Sequence, residues 1–233
     1  MCKGRSTCSE LGADANQWSK TSPLPPPEYF ERAGVLFTSS VQELVQGNFT
    51  SAIELLGECQ SDLVGTFFIE HGQQSAYYRV LNRKEIDRAN RLSKVTNPTP
   101  RLRPKVEREV FVRDSFRCRY CGLRIVQKDV FQEYSRILGS NLFSVARKNS
   151  LRNGLTLGLR GVGDHVDPYA GGGETTLENL VTSCYSCNFG KAGYTLKQLG
   201  IEDPRLRNPI NDSWRGLTEH LPALKKMPGA LSV

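Results

Sequence analysis

The sequence predicts an α+β protein in which a helical N-terminal domain precedes a second domain that is braced by a zinc ion. Three observations lead to this prediction. Apolar residues recur at helical spacing in the first third of the chain, the net charge changes sign along the chain, and four cysteines form two C-x-x-C pairs. These signals are independent of one another, so together they indicate both the architecture and its brace.

Charge divides the chain of 233 residues into an acidic part and a basic part. Residues 1–78 carry 4 Lys/Arg against 9 Asp/Glu, residues 79–233 carry 27 against 15, and the whole chain has a net charge of +7. This division predicts two domains, the second of which faces a polyanion such as nucleic acid. On charge alone, a basic surface without any partner is the open alternative.

The overall composition is that of a soluble globular protein, with 38% hydrophobic and 24% charged residues. The sequence holds no run of 18 apolar residues, which excludes a membrane-spanning helix. The first residues, MCKGRSTCSELG, lack the apolar core of a signal peptide, which argues against secretion. We therefore expect a cytoplasmic protein without a membrane partner.

The acidic part begins with a predicted flexible leader, residues 1–27, which ends in TSPLPPPE. Residues 28–91 are predicted to form an acidic helical domain with a role in recognition or interaction. Within it, Phe49, Ile53 and Leu56 follow the i, i+4, i+7 spacing of a core face. Residues 92–104 contain TNPTPRLRP and predict a basic, proline-containing linker, which either follows a phosphate backbone or is only solvated.

The basic part, residues 105–233, is predicted to be one domain with an insertion at residues 123–160 and a C-terminal tail. Inside the insertion, residues 128–150 have the pattern of a helix; the apolar residues near one face are Phe131, Tyr134, Leu138, Leu142 and Val145. The last forty residues predict a short helix and an irregular tail that Trp214 and Leu217 pack down.

The two C-x-x-C pairs are Cys118 with Cys121 and Cys184 with Cys187. Two thiolate pairs match the tetrahedral coordination of a structural Zn²⁺, with Zn–S distances of about 2.3 Å. A redox dithiol would need only one pair. The 62 residues between the pairs make this spacing longer than that of a zinc ribbon. We therefore predict that the ion closes a long loop and holds its contents in place.

The segment GDHVDPYAGGGETTLENLVTSCYSCNFGK, residues 163–191, contains further motifs. An Asp-His pair, a proline followed by three glycines, LENL and C-x-x-C-N-x-x-K occur in this order after CRYCG. Together these motifs resemble the HNH endonuclease superfamily over about residues 105–200. The resemblance implies that the part of the chain after the helical N-terminal domain is a zinc-braced ββα-metal (HNH) nuclease domain.

The resemblance also implies roles for four residues. His165 matches the general base, and Asp164 and Asn188 match the ligands of a catalytic divalent ion. Asn179 matches the middle asparagine of the motif, which braces the ββα loop and helps to orient the histidine. Because Asn188 stands where many relatives have histidine, the site favours an ion that prefers oxygen ligands, Mg²⁺ or Mn²⁺.

The function that the resemblance implies is metal-dependent hydrolysis of phosphodiester bonds, with double-stranded DNA as the expected substrate. The products would carry 5′-phosphate and 3′-hydroxyl ends, and a restriction, defence, phage or mobile-element role fits a small protein of this kind. The alternative is a non-catalytic, zinc-dependent DNA-binding protein. The sequence leaves open whether the chain forms a homodimer.

Nucleic-acid contacts are predicted for Lys191, Arg136, Arg147 and Lys148. Lys191 lies one helical turn beyond Asn188, and a solvated lysine is the alternative. The other three residues lie in the insertion, which contributes to the 42 residues between Cys121 and Asp164. This insertion either contacts DNA and sets specificity or serves only as a packing element for the tail.

Overall fold

The computed structural model describes residues 17–82 and 102–230, with only the backbone described for residues 73–82. The described residues form helices and one two-stranded antiparallel sheet, which confirms the predicted α+β class. The helices before the sheet are α1 (Tyr29–Val45), α2 (Phe49–Glu58), α3 (Ser61–Asn82), α4 (Pro104–Arg113), α5 (Lys128–Leu138) and α6 (Gly154–Gly158). The sheet and the remaining helices are β1 (Gly161–His165), β2 (Leu180–Cys184), α7 (Tyr185–Lys191), α8 (Leu196–Leu199) and α9 (Leu221–Lys226).

Helices α1 and α2 pack against each other, as the helical pattern of this region predicts. The face of α2 that packs inward differs from the predicted one. Phe49 and Ile53 are 42% and 39% exposed, whereas Ala52 is fully buried and Leu56 nearly so. The small side chain of Ala52 permits a close approach to α1, where the Ser40 hydroxyl donates a hydrogen bond to the Ala52 carbonyl oxygen at 2.6 Å.

The N-terminal helices share one hydrophobic core with the basic part of the chain. The ring of Phe37 in α1 stacks on Phe131 of α5 and on Phe143, with centroids 5.2 and 5.8 Å apart. Helix α3 packs against α6 and α7. At this contact a Cβ on Gly154 would lie 1.7 Å from the Ser61 carbonyl oxygen, so only glycine permits the observed spacing.

The boundaries 28–91, 92–104 and 105–233 stay predictions, and most of the predicted linker lies outside the described residues. Residues 17–27 belong to the predicted flexible leader, yet they are packed against the protein. The side chains of Trp18 and Leu24 are 4% and 0% exposed. The prolines of this segment prevent a helix but do not prevent its apolar side chains from entering the core.

The predicted helix over 128–150 is shorter in the structure, where α5 ends at Leu138. Gly139 adopts a positive φ of 85°, which stops the helix. Leu142 and Val145, expected on the apolar face, are instead 49% and 37% exposed. The insertion continues through a 3-10 turn at Asn149–Leu151 into α6.

The C-terminal tail folds back over the insertion. The indole nitrogen of Trp214 donates a hydrogen bond to the Ile125 carbonyl oxygen at 2.8 Å, and Leu217 is buried, so both residues pack the tail as predicted. The short helix α8 is also as predicted, whereas α9 is an additional element. Arg136 holds α9 by donating hydrogen bonds to the carbonyl oxygens of Leu224 and Met227.

Strand β1 runs antiparallel to β2, with Gly161 opposite Cys184 and His165 opposite Leu180. Helix α7 begins at the residue after β2, so the chain forms a compact β–β–α unit. None of the helices in the described ranges has the length and apolar character needed to cross a membrane.

Candidate functional site

The four cysteines of the two C-x-x-C pairs meet at one point. Cys118 and Cys121 lie on the turn after α4, where Gly122 with φ 81° donates its N–H to the Cys118 carbonyl oxygen. Cys184 ends β2, and Cys187 lies in the first turn of α7. All four Sγ atoms lie within 4.8 Å of one another, so the group can hold a metal ion.

The spacing of the sulfur atoms fits a tetrahedral ion. With Zn–S distances of about 2.3 Å, the sulfurs of a tetrahedral site stand about 3.8 Å apart. The Sγ atoms of Cys121 and Cys184 are 3.8 Å apart. The two pairs thus converge as predicted, although 62 residues separate them in the sequence.

The thiols of this cluster influence one another's ionisation. Burial acts to raise the pKa of Cys118, but hydrogen bonds from the other three cysteines outweigh it and hold this pKa well below its usual value. The pKa of Cys121 and that of Cys187 are instead raised; the main cause at Cys121 is the hydrogen bond with Cys118, and at Cys187 it is burial. A bound cation would stabilise all four groups as thiolates.

The N-terminal segment also contacts this cluster, which the sequence did not indicate. The hydroxyl of Ser22 lies 3.2 Å from the Sγ of Cys187. The Cys187 sulfur also lies 3.7 Å from the Leu24 carbonyl oxygen, within the range of a hydrogen bond from a thiol. Residues 22–24 therefore cover one corner of the metal cluster.

The β–β–α unit places the predicted site residues around one cavity of about 560 Å³. Asp164 and His165 end β1, and Asn188 lies in the middle of α7. All three line the cavity, together with Lys191. The structure thus brings together the carboxylate, the imidazole and the amide that the motif separates by more than twenty residues.

Asp164 is 6% exposed and already has two partners. The hydroxyl of Tyr120 donates a hydrogen bond to its Oδ2 at 2.7 Å, and the Nζ of Lys191 lies 3.4 Å from both carboxylate oxygens. Burial raises the pKa of Asp164 above its usual value, although Lys191 and the Tyr120 hydrogen bond act in the opposite direction. Tyr120 lies between Cys118 and Cys121, so the cysteine turn directly holds the Asp164 carboxylate.

A contact to a phosphate on the surface would require the side chain of Lys191 to extend into solvent. In the structure this side chain is buried instead. Its side chain is 1% exposed. Its ammonium donates a hydrogen bond to the His165 carbonyl oxygen at 2.6 Å, besides the ion pair with Asp164. The ion pair and this bond compensate the cost of burying the charge. Lys191 therefore fixes the end of β1 from the inside.

His165 is 8% exposed, and its Nε2 lies 2.8 Å from the Oγ1 of Thr175. Burial lowers the pKa of His165, although the nearby Asp164 acts to raise it. In the tautomer that carries its proton on Nε2, this nitrogen donates to Thr175 and the lone pair on Nδ1 is available to accept a proton. Thr175 was not predicted as a site residue, and no motif in the sequence marks it.

Asn179 braces the loop between the strands. Its Oδ1 accepts the Asp167 N–H at 2.8 Å, and its Nδ2 donates to the carbonyl oxygens of Asp167 and Glu174. Gly173 lies close by, where a Cβ would stand 1.9 Å from the Asp167 carbonyl oxygen. The side chain of Asn179 thus contacts the loop, while the His165 ring contacts Thr175 through a hydrogen bond and lies 6.0 Å from the ring of Tyr169.

The three basic residues of the insertion that were predicted to contact nucleic acid differ from one another in their contacts. Arg136 is engaged by Glu133 and by two carbonyl oxygens at the end of α9, which gives it a structural role in holding the tail. Arg147 and Lys148 are exposed. Arg136 is exposed as well, so what distinguishes Arg147 and Lys148 from it is that neither forms an ion pair within the described ranges.

Comparison with known families identifies one part of the chain. Comparison with curated proteins and with solved structures gives no significant match. Residues 160–192 match the family model described as HNH endonuclease. This segment spans β1, β2 and α7 and includes the candidate site residues of the cavity. The resemblance to the HNH superfamily is thus confirmed for residues 160–192, which match the HNH endonuclease family model.

Proposed function

We propose that this protein is a metal-dependent endonuclease that hydrolyses phosphodiester bonds of nucleic acid, with double-stranded DNA as its substrate. The observation that carries the proposal is the cavity in which Asp164, His165 and Asn188 meet, inside the segment that matches the HNH endonuclease family. Roles in restriction or defence, or in a phage or mobile element, are compatible with this activity, as is a cytoplasmic location.

The two candidate metal centres differ in their donor atoms. The cluster of four thiols offers soft ligands in a closed tetrahedral arrangement, which suits a structural Zn²⁺. The cavity offers the Asp164 carboxylate and the Asn188 amide oxygen, which are hard ligands suited to Mg²⁺ or Mn²⁺. When bound there, such an ion would neutralise charge on the scissile phosphate and the leaving oxygen.

His165 is the proposed general base. Burial lowers its pKa, which favours the neutral imidazole, and the contact of Nε2 with Thr175 leaves Nδ1 as the nitrogen for the attacking water. A neutral imidazole can take a proton from an attacking water. In this scheme Asn179 holds the loop that carries Thr175, so it positions the base indirectly.

Lys191 and Tyr120 are the proposed positioning residues for Asp164. Both hold the carboxylate at the end of β1 through direct contacts, and neither extends into solvent. A carboxylate whose orientation is fixed before the ion arrives loses less conformational freedom on binding. We therefore propose that Lys191 acts through Asp164, the candidate metal ligand, and not through the phosphate contact predicted from the sequence.

A zinc-dependent DNA-binding protein without catalytic activity is the second candidate. The observation that favours it is the ion pair of Asp164 with Lys191, because the carboxylate is already satisfied by a cation of the chain itself. This candidate predicts salt-sensitive binding to DNA but no cleavage. A divalent ion in the cavity would have to share the Asp164 carboxylate with the ammonium group of Lys191.

Plasmid cleavage tests the proposal. The purified, zinc-containing protein is incubated with supercoiled plasmid and with Mg²⁺ or Mn²⁺, beside the His165→Ala variant. We expect nicked or linear products from the wild type only, with a loss of at least about 100-fold in the variant. Intact plasmid with both proteins, combined with DNA binding by both, would identify the non-catalytic candidate instead.

A further inference from the structure

A second cavity of about 280 Å³ adjoins the active-site cavity. Lys128, at the start of α5, and Arg160, just before β1, line both cavities. A chain-like ligand that occupies the first cavity can therefore continue into the second one. All residues that line the second cavity belong to the insertion, residues 123–160, and Arg160 connects it to the matched HNH segment.

Four cations surround this second cavity: Lys128, Arg147, Arg152 and Arg160. Among the described residues that line it, none is acidic. Arg113, Arg117, Arg119 and Arg205 pair with carboxylates elsewhere in the protein; within the described ranges, the four cations of this cavity form no such pairs. Like charges that converge without a counter-charge produce a local positive potential that attracts an anion.

Two of the guanidinium groups are held in place by one tyrosine. The guanidinium carbons of Arg160 and Arg152 lie 5.0 and 5.9 Å from the ring centroid of Tyr185, and both groups donate to its hydroxyl oxygen. Tyr185 itself stacks on Phe189 at 5.1 Å. Because Tyr185 begins α7, the helix that carries a candidate metal ligand also orients these two arginines.

One donor of this group is buried and unused. The Nε of Arg160 is inaccessible to solvent and has no hydrogen-bond partner in the described part of the chain. A buried donor without an acceptor destabilises the folded protein, and a ligand that supplies an acceptor would remove this cost. Arg160 lines both cavities, so this donor belongs to the residue at their boundary.

We propose that the second cavity is a phosphate subsite, which binds the backbone of the strand that lies in the active-site cavity. This assignment rests on the proposed nuclease function and specifies it: the insertion holds the substrate through phosphate charge, not through base edges. Contacts of this kind fix the register of the substrate but carry no sequence information. The insertion then contributes affinity equally for unrelated target sequences.

Binding measured without cleavage tests the subsite. The background is the full-length His165→Ala protein with zinc retained and without Mg²⁺, titrated against fluorescein-labelled duplexes of two unrelated sequences. The test variant adds Lys128→Gln and Arg147→Gln; Arg147 is exposed and its side chain makes no hydrogen bond within the described ranges. The control variant adds Lys225→Gln instead, which removes one charge from an exposed position on α9 that lines neither cavity.

If the test substitutions remove one ionic interaction with a phosphate, the slope of log K against log salt should fall in magnitude by about 0.9. Between 50 and 200 mM salt the test variant should therefore lose about 3.5-fold less affinity than its background does, with both duplexes alike. Lys225→Gln should leave the slope unchanged. A slope that is the same in the test variant and in its background would overturn the subsite, as would a change seen with only one of the two sequences.

The remaining outcomes separate the subsite from the function. If the change occurs only with duplexes that carry a 5′-phosphate and not with 5′-hydroxyl ends, the cavity binds a strand terminus and the backbone assignment is wrong. If wild-type protein cleaves plasmid while the test variant keeps its slope, the nuclease function stands and the subsite fails. If the protein neither cleaves nor binds any nucleic acid, both proposals fail together.

Discussion

The hydrogen bond from Tyr120 to Asp164 can be removed by a single substitution, Tyr120→Phe. The phenol ring is 1% exposed, and phenylalanine fills the same space without the hydroxyl group. The change therefore leaves a buried carboxylate oxygen without its donor at 2.7 Å. It perturbs neither the Sγ atoms of the metal cluster nor the hydrophobic packing of the ring.

The expected cost follows from the charge of the acceptor. A hydrogen bond to a charged group contributes about 1.5–3 kcal/mol, whereas one between neutral groups contributes about 0.5–1.5 kcal/mol. Tyr134→Phe is a matched control, because Tyr134 is also fully buried and its hydroxyl pairs with the neutral Ser40 hydroxyl at 2.5 Å. We expect Tyr120→Phe to lower the free energy of unfolding by about 1 kcal/mol more than Tyr134→Phe does.

Urea unfolding of the zinc-containing protein measures this difference. A plasmid-cleavage assay with both variants provides a second readout, in which Tyr120→Phe should lose activity through a misplaced Asp164 and Tyr134→Phe should keep it. If the two substitutions cost the same free energy, Asp164 does not accept a charge-assisted bond from Tyr120. If Tyr120→Phe cleaves at the wild-type rate, the fixed orientation of the carboxylate has no role in catalysis.

Two further predictions concern the metal cluster and the helix contact. Cys184→Ser should release the bound zinc and unfold the β–β–α unit, because it removes one of the four metal ligands. Cys59→Ser changes a buried cysteine outside the cluster and should keep the zinc. Elemental analysis of the two purified variants measures the zinc content. Gly154→Ala should destabilise the protein by about 1–3 kcal/mol, because the added Cβ clashes with α3. Gly57→Ala has open space around it and should not destabilise the protein. Thermal unfolding measures both variants, and an equal destabilisation would contradict the close contact at Gly154.

The parts of the site that the sequence could predict are those with a fixed local spacing. The cysteine pairs, the Asp164–His165 dipeptide and Asn188 after the last cysteine follow from short motifs whose geometry is set by a turn or by one helix. The convergence of the four thiols confirms the predicted cluster. The roles of the residues that line the cavity and of Asn179 stay predictions.

The contacts that the sequence could not predict depend on tertiary packing. Thr175 lies in the loop between β1 and β2 and meets His165 through the path of that loop, which no short motif specifies. Lys191 has helical spacing from Asn188, but spacing alone does not tell whether a lysine on that face meets solvent or a buried carboxylate. In the same way, apolar residues keep a helical spacing in the sequence beyond Gly139, although in the structure a positive φ at Gly139 ends α5.

The segment at residues 17–27 links the N-terminus to the redox chemistry of the metal cluster. Ser22 and Leu24 lie against the Cys187 sulfur and shield it from solvent. In a protein shortened to begin at Tyr29, the Cys187 thiol would be exposed to oxidants. Whenever zinc dissociated, Cys187 could then be oxidised to a disulfide with another cysteine of the cluster.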